Sequence, residues 1–424
     1  MIVNVIMTII SRIITVSGSL LLSIFVANKF GPLYLGYFSL SLVILNGVNL
    51  LNKNGFDVYY IKHGFDVDNE LMRLDLFFTL CFKLLKRSLY IVLLIALLGG
   101  AWVYYDNSNE VISNFVFLLL ALPFFSMAYL FSAFYKASQK PSIACLFEIG
   151  SISMLTVLMT YFYSCTMNVF DFNIVSRMFF LSSVLVSIIG IYSVFFKADK
   201  RLISLNKNHT YSKRETNDFL TVSILGYIQV SMFTYICSFM LSGQDLGVFK
   251  AIEKVALVIS FVLVVINSIL MPKFSFLYRK KEIKKLENLM QSGVKICFIL
   301  TLPYVLFVLF FPNTILSIFG NGFSGHGIVL NIMCLAQWFN VILGSVGSIL
   351  NMTGHQRDVK NISFFIMCVM LLIAPVAIYK YQLFGAALAY LIYLSSQNIL
   401  LFLFVYKRLK ISPIPLLFWR SRCS

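Results

Sequence analysis

Residues 11–38 read SRIITVSGSLLLSIFVANKFGPLYLGYF. An apolar helix carrying Arg12 near its start runs into a turn, Phe30-Gly31-Pro32-Leu33-Tyr34-Leu35-Gly36-Tyr37-Phe38, and the turn opens a second apolar run. A cation inside an apolar helix of spanning length costs roughly 2.5–3.5 kcal/mol at mid-depth, so such a residue faces a partner or a water-filled path. A similar turn, Leu246-Gly247-Val248-Phe249, returns about 210 residues later, followed by Lys250, Glu253 and Lys254. The chain therefore reads as two copies of one unit, each with positive charge on a helix near this turn.

Composition agrees with a membrane setting. Of 424 residues, 59% are hydrophobic and 12% charged, about half the charged fraction of a soluble domain. Mean hydropathy is +0.88. The formal charge of +17 does not point to nucleic acid, because the basic residues sit in short clusters between apolar runs and no nucleic-acid motif accompanies them. The eight cysteines are scattered, mostly inside apolar runs, with no Cys-x-x-Cys pair, and with only four histidines no metal spacing arises. The start of the chain, Met1-Ile2-Val3-Asn4-Val5-Ile6, lacks a basic n-region and a small-residue cleavage site, so the first helix is expected to stay as an anchor. No metal or cofactor is expected.

A span needs about 20 mostly apolar residues. About twelve candidates follow one another: 7–27, 36–51, 88–105, 112–135, 143–165, 174–196, 219–241, 246–271, 294–311, 327–352, 362–379 and 384–406. The stretch 71–85, broken by Arg73, Asp75 and Lys83, either extends the third span or lies along the surface. Alternate connectors are basic. One set carries Lys53, Lys62, Lys86 and Arg87; then Lys136 and Lys140; then Lys197, Lys200, Arg201, Lys207, Lys213 and Arg214; then Lys273 and Arg279 through Lys285; then Arg357 and Lys360; and the tail Lys407, Arg408, Lys410, Arg420 and Arg422. The intervening connectors are nearly bare. Positive charge stays inside, so both termini are expected in the cytoplasm.

The longest outward connector, 312–326, is some fifteen residues, too short for an external catalytic domain. A phosphate-binding Gly-x-x-x-x-Gly-Lys-Ser/Thr loop is absent as well. A membrane enzyme of surface-glycan assembly is thereby disfavoured, and the chain is not read as an enzyme. A second echo supports the repeat: Tyr135-Lys136-Ala137-Ser138-Gln139-Lys140 against Met352-Thr353-Gly354-His355-Gln356-Arg357. Six spans per copy put both copies the same way up, which predicts an all-α polytopic protein of two six-helix lobes, 1–205 and 206–424, about a pseudo-twofold axis along the membrane normal.

Several short stretches, in this order and spacing, carry a family likeness. They are Phe30-Gly31 through Phe38; Phe249 to Lys254 leading to Met271-Pro272; Ile318-Phe319-Gly320 with Phe323; Leu350-Asn351-Met352-Thr353-Gly354; and Phe384-Gly385-Ala386-Ala387. With them the chain resembles the polysaccharide-export, MATE-like branch of the multidrug/oligosaccharidyl-lipid/polysaccharide flippases, and within it the O-antigen flippases. The resemblance covers nearly the whole chain. It implies two lobes around a central cavity, alternating access, and a bacterial inner-membrane transporter of lipopolysaccharide biosynthesis. The implied substrate is an undecaprenyl-pyrophosphate-linked oligosaccharide moved from the cytoplasmic to the periplasmic leaflet. Membrane lipids and other surface-polysaccharide assembly proteins are the implied partners. Related flippases carry a basic residue on helix one and another on helix eight, and Arg12 and Lys254 match those positions. A lysine at the second cannot give the bidentate phosphate grip of an arginine.

Two readings stay open at each site. Arg12 either holds phosphate oxygens with its planar fork or snorkels to the headgroups. Lys250, Glu253 and Lys254 share one helix face by their spacing; they either line a polar path, as substrate-binding or gating groups, or neutralise one another. Glu148 is a candidate for proton coupling or for a cytoplasmic-side polar contact. The runner-up function is a cation-coupled multidrug exporter, which would favour acidic rather than basic intramembrane groups.

Overall fold

The computed structural model describes residues 2–66, 70–105, 110–167, 171–195 and 211–412. The lobe boundary at 205/206, the connector residues Lys197, Lys200, Arg201 and Lys207, and the tail residues Arg420, Arg422 and Cys423 lie outside the described residues. Every described element is helical: α1 Ile2–Phe30, α2 Pro32–Lys53, α3 Phe56–Asp66, α4 Glu70–Tyr105, α5 Glu110–Leu120, α6 Leu122–Ala137, α7 Pro141–Cys145, α8 Ile149–Met167 and α9 Phe172–Phe195 in the first part. The second part has α10 Lys213–Met240, α11 Gly243–Arg279, α12 Ile283–Phe310, α13 Pro312–Ser317, a 3₁₀ turn Asn321–Phe323, α14 Gly327–Leu343, α15 Val346–Met352 and α16 Gln356–Leu409.

Among the described residues nine helices are long and apolar enough to cross a membrane, and the bent pair α5–α6 makes a tenth. The remaining two of the expected twelve are also visible. The second half of α4 coincides with the span read at 88–105, and α4 is continuous from Glu70, so 71–85 belongs to the same helix. The long α16 is two helices that meet at Gln382, whose backbone turns to φ 50 and ψ −130. Just past that turn, Gly385 lies where a Cβ would come within 2.0 Å of the Ala377 carbonyl oxygen. The Phe384-Gly385-Ala386-Ala387 stretch thus has a packing reason: only a residue without a side chain lets the chain fold back this tightly. The protein is an all-α, multi-pass membrane protein.

The 42° bend between α5 and α6 falls at Pro123, in the first turn of α6. Proline has no N–H to give and its ring clashes with the preceding turn, so the helix breaks there.

The described residues form two compact units, 1–231 and 232–424. In the first, α6 is buried along most of its length and packs against α2, α3, α4, α7 and α9. Its rings interlock with neighbours: Tyr135 stacks on Phe147 at 5.5 Å, and Phe134 meets both Tyr60 and Phe77. α1 lies along α8. Their backbones touch, for a Cβ on Gly18 would sit 2.2 Å from the Gly150 carbonyl oxygen, and one on Gly150 1.9 Å from that of Thr15. Small residues at a crossing are how membrane helices approach closely enough to gain packing energy. In the second unit α14 is the shared partner of α11, α12 and α16.

The two turns that suggested a repeat place their leucines alike, four residues past the N-cap, although Gly31 sits at positive φ and Ser242 is extended and caps with its hydroxyl. Gly31 caps α2 and Ser242 caps α11; Leu35 N–H bonds the Gly31 carbonyl at 3.2 Å, and Leu246 N–H bonds that of Ser242 at 2.9 Å. Leu35, Phe38, Leu246 and Phe249 are all buried. The second pair of turns also matches, since Lys140 N–H reaches back to Tyr135 and His355 N–H to Leu350, both at 2.9 Å, behind left-handed residues Gln139 and Gly354. That reach of five residues is a helix-ending motif satisfying carbonyls the helix leaves open.

Acidic residues of two connectors take part in helix capping. Asp171 accepts from Asn173 N–H at 3.0 Å at the start of α9. Ser242 Oγ accepts from Asp245 N–H at 3.1 Å and donates to the Asp245 carboxylate at 2.7 Å. Ser242→Ala is expected to lower stability by about 1 kcal/mol, seen as a small drop in melting temperature without loss of folded protein.

Candidate functional site

In the first unit the expected residues Arg12 and Glu148 come together. Gly18 and Gly150 hold α1 against α8, and Glu148 immediately precedes α8, so the two side chains meet across the crossing. Arg12 Nη1 stands 3.9 Å from one carboxylate oxygen of Glu148. The other oxygen accepts from Lys136 Nζ at 2.8 Å and from Ser132 Oγ at 3.4 Å. Side-chain exposures are 41% for Arg12, 35% for Lys136 and 18% for Glu148. The carboxylate is thus the enclosed centre of the group and the two cations form its open side.

In the sequence Lys136 stands out only as a connector charge. The signal that could have singled it out is its spacing: Ser132 and Lys136 lie four apart on α6, hence on one face, and the tight turn 138–148 returns the chain to that face. A neighbouring pair continues the polar region. Lys53 Nζ lies 2.6 Å from Asp57 and 4.5 Å from the Tyr129 ring centre. Burial raises the Asp57 carboxyl's pKa, but the Lys53 ammonium, by charge and hydrogen bond, more than reverses this and holds it below the ordinary carboxylate value. The pair therefore contributes stability above the ordinary carboxylate pKa and loses it as pH falls through the lowered value.

In the second unit the predicted trio divides. Lys250 and Glu253 form a buried ion pair, and Lys250 Nζ also donates to Thr234 Oγ1 at 3.0 Å. Both side chains are 10% exposed. The ammonium of Lys250 is therefore committed within the unit. Lys254, one turn along, is half-buried and makes no hydrogen bond or ion pair among the described residues.

Sequence reasoning missed a polar stripe that continues from this pair. Glu253, Ser260 and Asn267 recur every seventh residue of α11, which keeps them on one side of the helix. Ser260 Oγ donates to Gln337 Oε1 on α14; Gln337 Nε2 donates to Tyr390 on α16 at 2.5 Å; Asn340 Nδ2 reaches Ser260 at 3.5 Å. Ser345 Oγ donates to Asn267 Oδ1. Buried polar groups in hydrocarbon need such partners. The seven-residue spacing of polar residues in an otherwise apolar helix was the available signal.

Glu253 and Glu148 each lie among cations, Arg177 lies over the Phe117 ring at 5.2 Å, and the first unit's site keeps one more cation than anion. Such an arrangement suits an anionic ligand better than a cationic one.

No family model matches the chain. One curated relative, the capsular polysaccharide biosynthesis protein CapF of Staphylococcus aureus, is 24% identical over 271 residues, 62% of this chain. The chain spans 66% of that relative's length. Among solved structures, an inward-facing multidrug resistance MATE family transporter of the MOP superfamily superposes with a TM-score of 0.73 at 15% identity, covering 93% of this chain and 94% of its own. The lipid II flippase MurJ gives 0.69 at 14% identity, with 96% and 87% covered. The MATE multidrug transporter DinF-BH gives 0.68 at 16%, with 95% and 94% covered. The chain has the fold of the MOP-superfamily transporters and flippases.

Proposed function

We propose that the protein is a flippase of the bacterial inner membrane that carries an undecaprenyl-pyrophosphate-linked oligosaccharide, such as an O-antigen repeat unit, from the cytoplasmic to the periplasmic leaflet by alternating access. The observation that carries this reading is the exposed cationic edge formed by Arg12 and Lys136 on a MOP-type fold. The pyrophosphate is the charged part of such a substrate, and a guanidinium beside an ammonium offers it charge-assisted hydrogen bonds. The similarity to a capsular polysaccharide biosynthesis protein and to a lipid II flippase supports the substrate class. The basic connectors support a cytoplasmic position for both termini. In that orientation outward movement of the anion runs down an inside-negative potential by about 2.3 kcal/mol per charge per 100 mV.

Arg12 is assigned to the pyrophosphate. Lys254 is assigned as the second unit's cation available to an anionic group, since Lys250 is held by Glu253 and Thr234. Glu253 belongs to the buried pair and is a candidate for gating.

The test is thermal stability of the purified protein in detergent with an undecaprenyl-pyrophosphate glycan, compared with a lipophilic cation. A ligand at about 100 times its Kd stabilises by ~2.7 kcal/mol, so the parent is expected to gain several degrees with the pyrophosphate lipid, and Arg12→Ala to lose that gain. Stabilisation by the cation alone would reject the reading in favour of a multidrug exporter. A gain that survives Arg12→Ala would keep the function and make Arg12 a headgroup anchor.

A further inference from the structure

We infer that the Glu148 carboxylate is an internal stand-in for the substrate's phosphate: it occupies the anion position between Lys136 and Arg12 when no substrate is bound, and the incoming pyrophosphate displaces it. The inference rests on the flippase reading and adds a group to its site.

Three features mark the place where the carboxylate sits as an anion site. Lys136 Nζ is at hydrogen-bond distance, 2.8 Å, and Ser132 Oγ is at 3.4 Å. Arg12 approaches from the open side at 3.9 Å, close enough for attraction but beyond a hydrogen bond. Glu148 also opens α8: the Ser151 N–H bonds its carbonyl, so its side chain lies at the positive end of a nineteen-residue helix. All three attract any anion, whether from the protein or from a ligand.

The arrangement is lopsided in a way a purely structural pair would not be. A carboxylate held for stability gains most from a bidentate grip by arginine. Here the lysine has the contact and, among the described residues, the guanidinium is left with most of its donors open, with 41% of its side chain exposed. The scaffold around it is stiff, because the Gly18–Gly150 backbone contact leaves α1 and α8 no room to slide together. In this arrangement Arg12 stands, among the described residues, just outside hydrogen-bond range of Glu148, with donors left for a second anion. A pyrophosphate reaching Arg12 would be close to Lys136 as well, where, among the described residues, Glu148 is the group that competes for the ammonium.

The design solves a physical problem. Two cations facing each other in a membrane with no anion repel and resist desolvation. Glu148 neutralises part of that charge in the empty state, then yields it. The cost is affinity, because the ligand must displace a resident anion. A group that lacks enough negative charge to do so is rejected, which sets a threshold favouring a pyrophosphate over a singly charged headgroup.

The experiment measures affinity of the full-length protein in detergent for undecaprenyl pyrophosphate, with phosphatidylglycerol as a second probe. Glu148→Gln keeps shape and removes the competing charge. It is expected to bind undecaprenyl pyrophosphate about tenfold tighter than the parent, ~1.4 kcal/mol, with a much smaller gain for phosphatidylglycerol. Equal or weaker binding by Glu148→Gln, with parent binding intact, overturns the inference and leaves the flippase reading standing. An equal gain for phosphatidylglycerol also overturns it, since a bulk headgroup would then be the occupant. Absence of undecaprenyl pyrophosphate binding in the parent and in Glu148→Gln alike, with a lipophilic cation bound instead, fails the flippase reading itself. Because Glu148→Gln leaves Lys136 without its partner, a second pair guards against misfolding. Lys136→Met/Glu148→Gln is expected to bind tighter than Lys136→Met alone, through Arg12 freed of its competitor; no difference between those two counts against the inference.

Discussion

Gly150→Leu is expected to abolish recovery of folded protein, while Gly226→Ala leaves it intact or slightly more stable. A Cβ at Gly150 would stand 1.9 Å from the Thr15 carbonyl oxygen and 2.4 Å from its carbon. Those atoms belong to backbone and cannot rotate away, so the whole of α1 would have to lift off α8. Overpacking that side chains can absorb costs about 1–3 kcal/mol. Here it cannot be absorbed, and a loss above ~4 kcal/mol places the change among the exceptional ones. Gly226 also sits inside a helix, but a Cβ there meets nothing within 4 Å. Alanine should add up to ~1 kcal/mol of helix propensity at that position. Size-exclusion profiles and melting temperatures in detergent check both. A parent-like melt for Gly150→Leu would show that α1 does not pack on α8 as described, and with it the meeting of Arg12 and Glu148 would fall.

The second large effect is at the buried pair of the second unit. Lys250→Met is expected to cost about 3–5 kcal/mol, because it leaves the Glu253 carboxylate buried without its partner. Lys250→Met/Glu253→Gln removes both charges and is expected to recover most of that loss, since a buried pair is commonly replaceable by uncharged groups of similar size. This pair of variants also decides between the two readings of the trio. If the double variant folds and still moves a lipid-linked glycan, Lys250 and Glu253 only neutralise each other. If it folds and transport stops, the pair takes part in the transport cycle. Failure of the double variant to recover stability would contradict the assignment of Glu253 as the main partner of Lys250.

The spans were legible because hydrocarbon imposes a single demand, an apolar run of about 20 residues, and twelve such runs are written in the chain. The turns were legible for a similar reason: Gly31, Ser242, Gly354 and Gly385 each meet a local backbone requirement that few residue types satisfy. The stretch 71–85 was not legible, since its charges fit a surface helix as well as the start of a long one; continuity of α4 decided it. Arg12, Glu148, Lys250, Glu253 and Lys254 stood out because charge inside an apolar run is costly.

Their partners did not stand out, and the reason is distance along the chain. Arg12 and Glu148 are separated by most of the first unit, and the packing of α1 along α8, closest at Gly18 and Gly150, brings them together. Lys136 looked like one more basic connector residue until α6 and the following turn set it against Glu148. Lys250, Glu253 and Lys254 had one shared face by spacing, yet a rotamer and Thr234 on another helix gave the pair to Lys250 and left Lys254 out. By itself the sequence determined the apolar spans, the turns between them and the presence of buried charge, because hydropathy and turn chemistry act over a few residues; helix ends such as the start of α12 at Ile283 and the short α3 came from the structure. Which charges pair, which stay open and where the polar stripe of α11 finds its acceptors were decided by tertiary packing alone, because an ion pair's energy depends on a few ångströms of separation that no local rule encodes.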